Sequence, residues 1–557
     1  MGFFAQELQR LQPEKRPRRW LFVPYDQLSD SIGPLSREEP DKLGIILVES
    51  PWKAGLRPYH KQKLALILAN LRHFALEQAS RGVAVKHIIS PEPYHETLKK
   101  LLPELGPIRS MVPAERELRM DLQQLTDGEG LRLIPHEGWL TSRKLFKAGA
   151  GQDPPWRMDS FYRFVRRDTG ILMRDNKPEG GNFSFDRENR LPWKGKPAPP
   201  EPPSFPVDPI KKEVGELIQK KFAHHPGRLD LEALPATHQD AEGLWSWAKR
   251  SCLTQFGPFE DAMSLKSRSL FHTRISALMN IHRLLPSRVV SDVLKMDLPL
   301  ASQEGFIRQV LGWREFVNHV HRATDGFRNL PGNPPPVDAI PGDGGYARWT
   351  GKAWKPKRAP KNLYGGSAPS VLECETPLPS AYWGEKSGLA CLDHVVSTVW
   401  EEGYSHHITR LMILSNLATL LDVRPRDLTD WFWIAYTDAY DWVVETNVLG
   451  MGTYAVEDLM MTKPYISGAA YINRMSDYCS ACAFHPKTDC PITALYWAFL
   501  ARHERTLRYN PRLRMPYASL KKRSKARRSK DRAIFRILRD ILLAGEQVNP
   551  IKISQYQ

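Results

Sequence analysis

The 557-residue chain has only six cysteines, too few for the disulfide scaffold of a secreted protein. It has no apolar run long enough to cross a bilayer, so no membrane is expected. Its opening, MGFFAQELQRLQPEKRPRRW, is broken by charge and lacks a signal-peptide core, and Gln6 breaks a myristoylation pattern. A cytoplasmic protein is expected. No Gly-rich phosphate fingerprint occurs in the first 140 residues, so a dinucleotide site is not supported there. No internal repeat is present. Acidic charge is in deficit: Lys+Arg 79 against Asp+Glu 62 leaves +17. That excess favours a polyanionic partner, nucleic acid before membrane, with a solubilising basic surface as the plain alternative.

The length exceeds what one core serves, so two or three domains are expected. WLFV (20–23), GIILV (44–48), VAVKHII (83–89) and LRLIPH (131–136) read as strands. HKQKLALILANLRHFALEQASRG (60–82) and PYHETLKKLLPEL (93–105) read as helices between them. The alternation predicts an α/β domain over 1–140 with a doubly wound parallel sheet. Such a sheet takes ligands at the carboxyl ends of its strands, which makes Asp26, Gln27 and Glu49 candidate contacts or ordinary loop polars. Residues 141–235 read as a connecting region: a basic helix at 156–173, a polar loop at 175–193, then PWKGKPAPPEPPSFPVDP (192–209). Eight prolines in that last stretch forbid a helix interior and predict an extended linker. From 236 to 518 helical apolar patterns dominate, predicting a large all-α domain. Residues 519–557 read as a basic C-terminal tail ending in an amphipathic helix.

Four cysteines fall between 391 and 490. Cys479-x2-Cys482 puts two thiols within reach of one metal centre. Cys490 precedes a proline, as the last ligand of iron–sulfur proteins commonly does, and Cys391 would bring a fourth thiolate from another helix. A local zinc knuckle of Cys479, Cys482, His485 and Cys490 is the rival, although the gap before His485 is tight. Spacing alone leaves the two even. Cys252 and Cys374 read as a buried thiol and a loop thiol.

Further segments then appear in order: LRHFA (71–75), GNFSFDRENRLPW (181–193), FGPFEDAM (256–263), LFHTRISALMN (270–280) and IRQVLGWREFV (307–317). They continue with GYSHHITRLM (403–412), TDAYDWV (437–443), NVLGM (447–451), KPYISG (463–468) and NRMSDYCSAC (473–482). None is specific alone. In this order, with Cys391, they resemble the bacterial iron–sulfur branch of the photolyase/cryptochrome family, the prokaryotic (6-4) photolyases. The resemblance implies FAD in the helical domain and a [4Fe-4S] cluster on Cys391, Cys479, Cys482 and Cys490. It also implies an antenna at Asp26, Gln27 and Glu49, expected to be 6,7-dimethyl-8-ribityllumazine. Pro24 and Tyr25 depart from the usual glycine-containing approach to that turn. The implied protein is a monomer on UV-damaged DNA, nucleoid-associated when bound, repairing (6-4) lesions by electron transfer from reduced flavin. The alternative is a blue-light photoreceptor of the same branch with little or no repair.

For the flavin, His272, Thr273, Arg274 and Ser276 offer donors at a helix start. The resemblance adds Gln309, Arg314, Arg410, Tyr436, Asp438, Asp441 and Asn447. Arg314 and Arg410 sit on apolar helices, where an unpaired charge is costly. His407, with His406 beside it, resembles the histidine that faces the lesion and manages a proton. Trp383 and Trp431 match an electron relay. Phe432 stands where relatives carry tyrosine, while Trp400 and Trp433 read as core. Relatives carry an acid three positions before Asn447; here that position is Val444, and Glu445 follows it.

Overall fold

The segments Arg19–Phe22 (β1), Leu43–Glu49 (β2), Ala84–Ile89 (β3), Ile108–Met111 (β4) and Leu131–Ile134 (β5) pair in the order β3-β2-β1-β4-β5. Every pairing is parallel. This computed structural model describes residues 2–554 apart from 15, 127, 129 and 331–365. β2 is buried along its whole length, as a central parallel strand covered on both faces must be. Gly44 allows this packing, since a Cβ there would sit 2.6 Å from the Trp20 ring. β4 is the one strand of this sheet that the sequence reading passed over. It is four residues long and carries Arg109, whose charge is met by Glu38 from the loop before β2 at 2.7 Å, both side chains partly exposed.

Helix Lys61–Ser80 covers the sheet and is capped by His60, whose ring accepts from the Gln62 N–H at 3.0 Å. The stretch read as one helix over 93–105 is two, Tyr94–Lys99 and Leu102–Leu105, because Pro103 cannot continue a helical ladder. Residues 190–208 run extended, but the connecting region also holds a thirteen-residue helix, Pro209–Lys221. It packs on Lys61–Ser80, with Glu213 within 3.5 Å of Arg72. It is part of the α/β layer, not of a linker.

The remaining chain is helical among the described residues. The two domains are joined by buried polar contacts. The His60 N–H donates to the Ile434 carbonyl at 2.8 Å, Lys63 Nζ to the Trp433 carbonyl at 2.9 Å, and Arg116 pairs with Asp325 at 2.7 Å. The segment read as a tail is docked: helix Lys525–Leu543 lies on Pro491–Arg502 and buries Ile534, Phe535, Leu538 and Leu542. Each such side chain stabilises by roughly 1.5–3 kcal/mol, enough to hold a helix whose other face is basic.

Candidate functional site

Three helical segments around the centre of the large domain carry π-helical turns: Arg308–Arg314, Arg410–Ser415 and Glu445–Gly452. Such turns concentrate at functional sites because they displace side chains from the ordinary helical face. Here they border a cavity of about 260 Å³. Of the expected flavin residues, His272, Thr273, Arg274, Ser276, Gln309, Arg314, Arg410, Asp438 and Asn447 all line it, together with His406 and His407. The structure adds Phe256, Tyr404, Trp442 and Val443 to the wall.

Asp438 organises one side. Arg410 meets its carboxylate with two bonds of 3.0 Å, and Ser276 donates to it at 2.7 Å. Burial alone would raise this carboxyl, but the Arg410 charge and these bonds hold it below its ordinary range. Arg274 is paired with Glu402 at 2.8 Å and lies over Tyr404, so its charge is already met. The helix expected at this point is short, Ser276–Asn280. Arg314 is different. It is buried, held against the faces of Trp139 and Trp442, and its nearest carboxylate is Glu315 at 3.3 Å. Burial pulls its pKa down to about 10, and its Nε has no partner among the described residues.

Helix Ala390–Glu402 ends on Gly403 in the left-handed region, φ 63°, which turns the chain back into the cavity. The turn delivers His406 and His407. His406 stacks on His272 at 4.4 Å between ring centres, and His407 meets His272 edge-on at 5.2 Å. Burial drives the pKa of His272 and His406 well down, helped at His272 by the His406 and His407 rings and at His406 by His407 and Arg410, so the pair is neutral. Their Nε2 and Nδ1 atoms have no protein partner among the described residues. His407 is exposed at the cavity mouth and is lowered less, to about 4, by enclosure and the Arg410 charge.

Two expected flavin contacts lie elsewhere. Tyr436 sits behind Arg410, 4.0 Å from its guanidinium, and hydrogen-bonds Ser405. Asp441 turns to the α/β domain and accepts from the Glu117 N–H at 3.1 Å. Glu445 does not take the place of an acid at Val444. It is fully buried on the opposite side of its turn, bonded to His321 at 2.9 Å and Arg426 at 2.8 Å. Val443 and Asn447, four apart, face the cavity instead. Arg166, in the basic helix of the connecting region, is buried and spends its donors on the carbonyls of Ile171, Leu172 and Phe183.

Cys391, Cys479, Cys482 and Cys490 line one small pocket with Tyr478, Phe484 and Ile492. His485 is outside it and bonds Thr488. Four thiols can therefore share one metal centre. No three of them lie within 4.8 Å of one another, a spacing met among the described residues only by Cys374, Asp422 and His503. In that trio Asp422 is already neutralised by Arg502 at 2.7 Å.

A second cavity, about 550 Å³, opens at the ends of β2 and β3 against the helical domain. Glu49 lines it but is held by Arg72 at 2.6 Å and His87 at 3.0 Å. Asp26 and Gln27 are not on its wall. Asp26 accepts from the Ala114 N–H at 3.0 Å and Gln27 donates to the Met111 carbonyl at 3.1 Å, closing the end of the sheet. Tyr25, Lys63, Tyr94, Glu115, Trp433 and Tyr440 face the space instead. Trp433 was read as core; Trp400, read likewise, stands between Trp383 and Trp431, 5.9 Å from each ring. Neither placement leaves a mark in sequence spacing.

A family model described as deoxyribodipyrimidine photo-lyase-related protein matches residues 21–233. A (6-4) photolyase from Agrobacterium fabrum is 33% identical over 512 residues, spanning 89% of this chain and 94% of that protein. Among solved structures, a Synechocystis cryptochrome aligns over 93% of this chain and 95% of its own at 13% identity, with a TM-score of 0.50, a likeness of fold. A bacterial class III photolyase from Agrobacterium tumefaciens covers 95% of this chain and 99% of its own at 15% identity, with a TM-score of 0.49.

Proposed function

The chain belongs to the photolyase/cryptochrome family, and from that premise we propose that it is a light-driven, FAD-dependent DNA photolyase acting on (6-4) lesions. The observation that carries the reading is the cavity wall. It joins an ion-paired Asp438, an under-paired buried Arg314 and unpartnered imidazole nitrogens, a donor and acceptor set that suits a flavin and its phosphates. When bound there, the flavin supplies the light-driven one-electron chemistry. Arg410 and Asp438 fix the edge of the cavity, Asn447 and Gln309 offer amides, and Arg314 offers positive charge to a phosphate. Trp442 and Phe256 exclude water.

A lesion flipped out of the duplex would reach the cavity past His407. Neutral at pH 7, that ring presents an N–H donor; incoming phosphates favour its charged form and ready it to give a proton. The excess of 17 positive charges draws DNA to the protein. For the thiol pocket we favour [4Fe-4S] over zinc. A single zinc with Zn–S bonds of about 2.3 Å pulls tetrahedral thiolates to roughly 3.8 Å apart. The wider spread here suits a cubane. The interdomain cavity, lined by Tyr25, Tyr94 and Tyr440, suits a planar antenna, and the lumazine is the one we propose.

His407→Ala is expected to abolish (6-4) repair while flavin stays bound; repair at the wild-type rate would remove His407 from the mechanism. The deciding experiment illuminates the reduced holoprotein with DNA carrying either a (6-4) product or a cyclobutane dimer and analyses the lesions. One observation favours the photoreceptor alternative: Glu445 is turned away, so no carboxylate from 444–447 faces the cavity. Conversion of neither lesion would select it.

A further inference from the structure

We propose that a third cavity, beside the flavin cavity but separate from it, binds a small phosphorylated ligand of the nucleotide class. At about 970 Å³ it is larger than either cavity described above. Its walls come mainly from the segment after β5, residues 135–156, from helix Glu315–Ala323 and from the turn that follows that helix. It shares no lining residue with the other two. Trp139 stands between it and the flavin cavity. The indole lines this wall, and Arg314 of the flavin cavity lies over its ring at 4.2 Å.

The charge on the wall is one-sided. Arg143, Lys147, Arg322 and Arg328 line it against a single carboxylate, Asp153. Arg328 has Glu445 at 3.7 Å, whereas Arg143, Lys147 and Arg322 have no carboxylate partner among the described residues. The crowding shows at Arg322, whose pKa is lowered to about 10 by enclosure and by the neighbouring Arg119 and Arg143 charges. Cations left unneutralised around one space favour an anion with several charges in it. The buried carboxylate nearby, Glu315, is already engaged. It accepts from the N–H groups of Leu140 and Thr141 at 3.0 and 2.9 Å and from the Thr141 hydroxyl at 2.7 Å.

A set of hydrogen-bond donors on the same wall points independently to a ligand. Asn318 lines the cavity and is 3% exposed, yet its Nδ2 has no partner among the described residues. The Trp139 Nε1–H is unmet in the same way. His136 accepts from the Gly138 N–H through Nδ1 at 2.9 Å, which places its own proton on Nε2, and that N–H is unmet as well. Burial, with the His282 ring and the Arg314 and Arg322 charges, keeps this imidazole neutral. Buried donors without acceptors cost free energy, which a ligand rich in oxygen recovers. Size and depth then choose the ligand. Inorganic phosphate would leave most of the space empty, whereas a sugar and base fill it against Trp139, Phe146 and Trp156. A phosphate in a duplex backbone cannot approach a side chain as deep as Asn318, so the geometry suits a free ligand and not DNA.

The test titrates the purified full-length protein with ADP, pyrophosphate and adenosine by calorimetry. ADP is expected to bind at one site per chain, with pyrophosphate and adenosine each at least about tenfold weaker. Arg322→Gln and Asn318→Leu are each expected to weaken ADP roughly tenfold. Arg322 is exposed, so its substitution tests charge without disturbing the core, and thermal melting checks that Asn318→Leu is folded. Lys525→Gln, on the basic C-terminal helix, is expected to leave ADP binding unchanged. ADP lodged in the flavin cavity would be indifferent to Arg322→Gln. Absence of ADP binding, wild-type affinity in Arg322→Gln, equal affinity for pyrophosphate, or displacement of ADP by undamaged duplex DNA would each overturn the proposal.

Discussion

Cys391→Ala is expected to yield a protein without iron whose helical domain no longer folds stably. Cys391 lies in the first turn of Ala390–Glu402, Cys479 lies within the turn Tyr478–Ala481 and Cys482 follows it, and Cys490 caps Pro491–Arg502. A centre on these thiols ties together segments about 90 residues apart in the chain. One of them carries Trp400, and its Gly403 cap aims His406 and His407. Structural metal sites contribute on the order of 10 kcal/mol, comparable to the whole margin of about 5–15 kcal/mol that keeps a domain folded. Burial, reinforced by the neighbouring thiols, raises the Cys391 pKa well above its ordinary value, and Cys490 is pushed up to about 12. These thiols must lose protons to bind metal, so uptake by the apoprotein is expected to rise with pH between 7 and 9. Iron analysis and thermal melting check both points. About four iron atoms per wild-type chain is the expected result; one zinc instead would refute the cluster.

Glu445→Gln is the second large effect. The carboxylate is 1% exposed and takes bonds from His321 and Arg426, with Arg328 at 3.7 Å. Burial alone would raise its pKa, but the Arg328 and Arg426 charges and the His321 bond hold it well below the ordinary range. Removing the negative charge takes one buried partner from a network in which Arg426 is also met by Asp430 at 2.8 Å, a cost of about 3–5 kcal/mol. A depressed carboxyl contributes stability that is present above its unfolded value of about 4.3 and lost as pH falls through the folded value. Denaturant unfolding at pH 7 should therefore show the full loss, and the difference between variant and wild type should shrink below about pH 4. A variant as stable as wild type at pH 7 would show that the ion network does not support the fold.

How much of this was legible varies with the physics of each feature. Strands β1, β2, β3 and β5 and helix Lys61–Ser80 announce themselves as apolar runs or periodic stripes, because burial selects such residues wherever they occur. β4 does not, since it is four residues long and interrupted by Arg109, which pairs with Glu38. Helix Pro209–Lys221 was hidden by the proline run before it, yet Asp208 caps it and Pro209 opens it, the usual signals of a helix start. At the cavity, motif order gathered most of the wall in advance. Asp441, Tyr436, Asp26 and Gln27 lie off the two cavity walls because adjacent residues on a turn point different ways, and sequence does not say which way.

The chain alone therefore determined the two-domain class, the cationic surface and the set of thiols and imidazoles available for chemistry. These follow from residue type and periodicity, which are local. Only the tertiary structure decided that Cys391 joins the late thiols, that Glu445 turns from the cavity into an ion network, and that Trp400 touches both Trp383 and Trp431. Those outcomes depend on which faces of distant helices meet, and π-helical turns shift those faces by an amount no local pattern records.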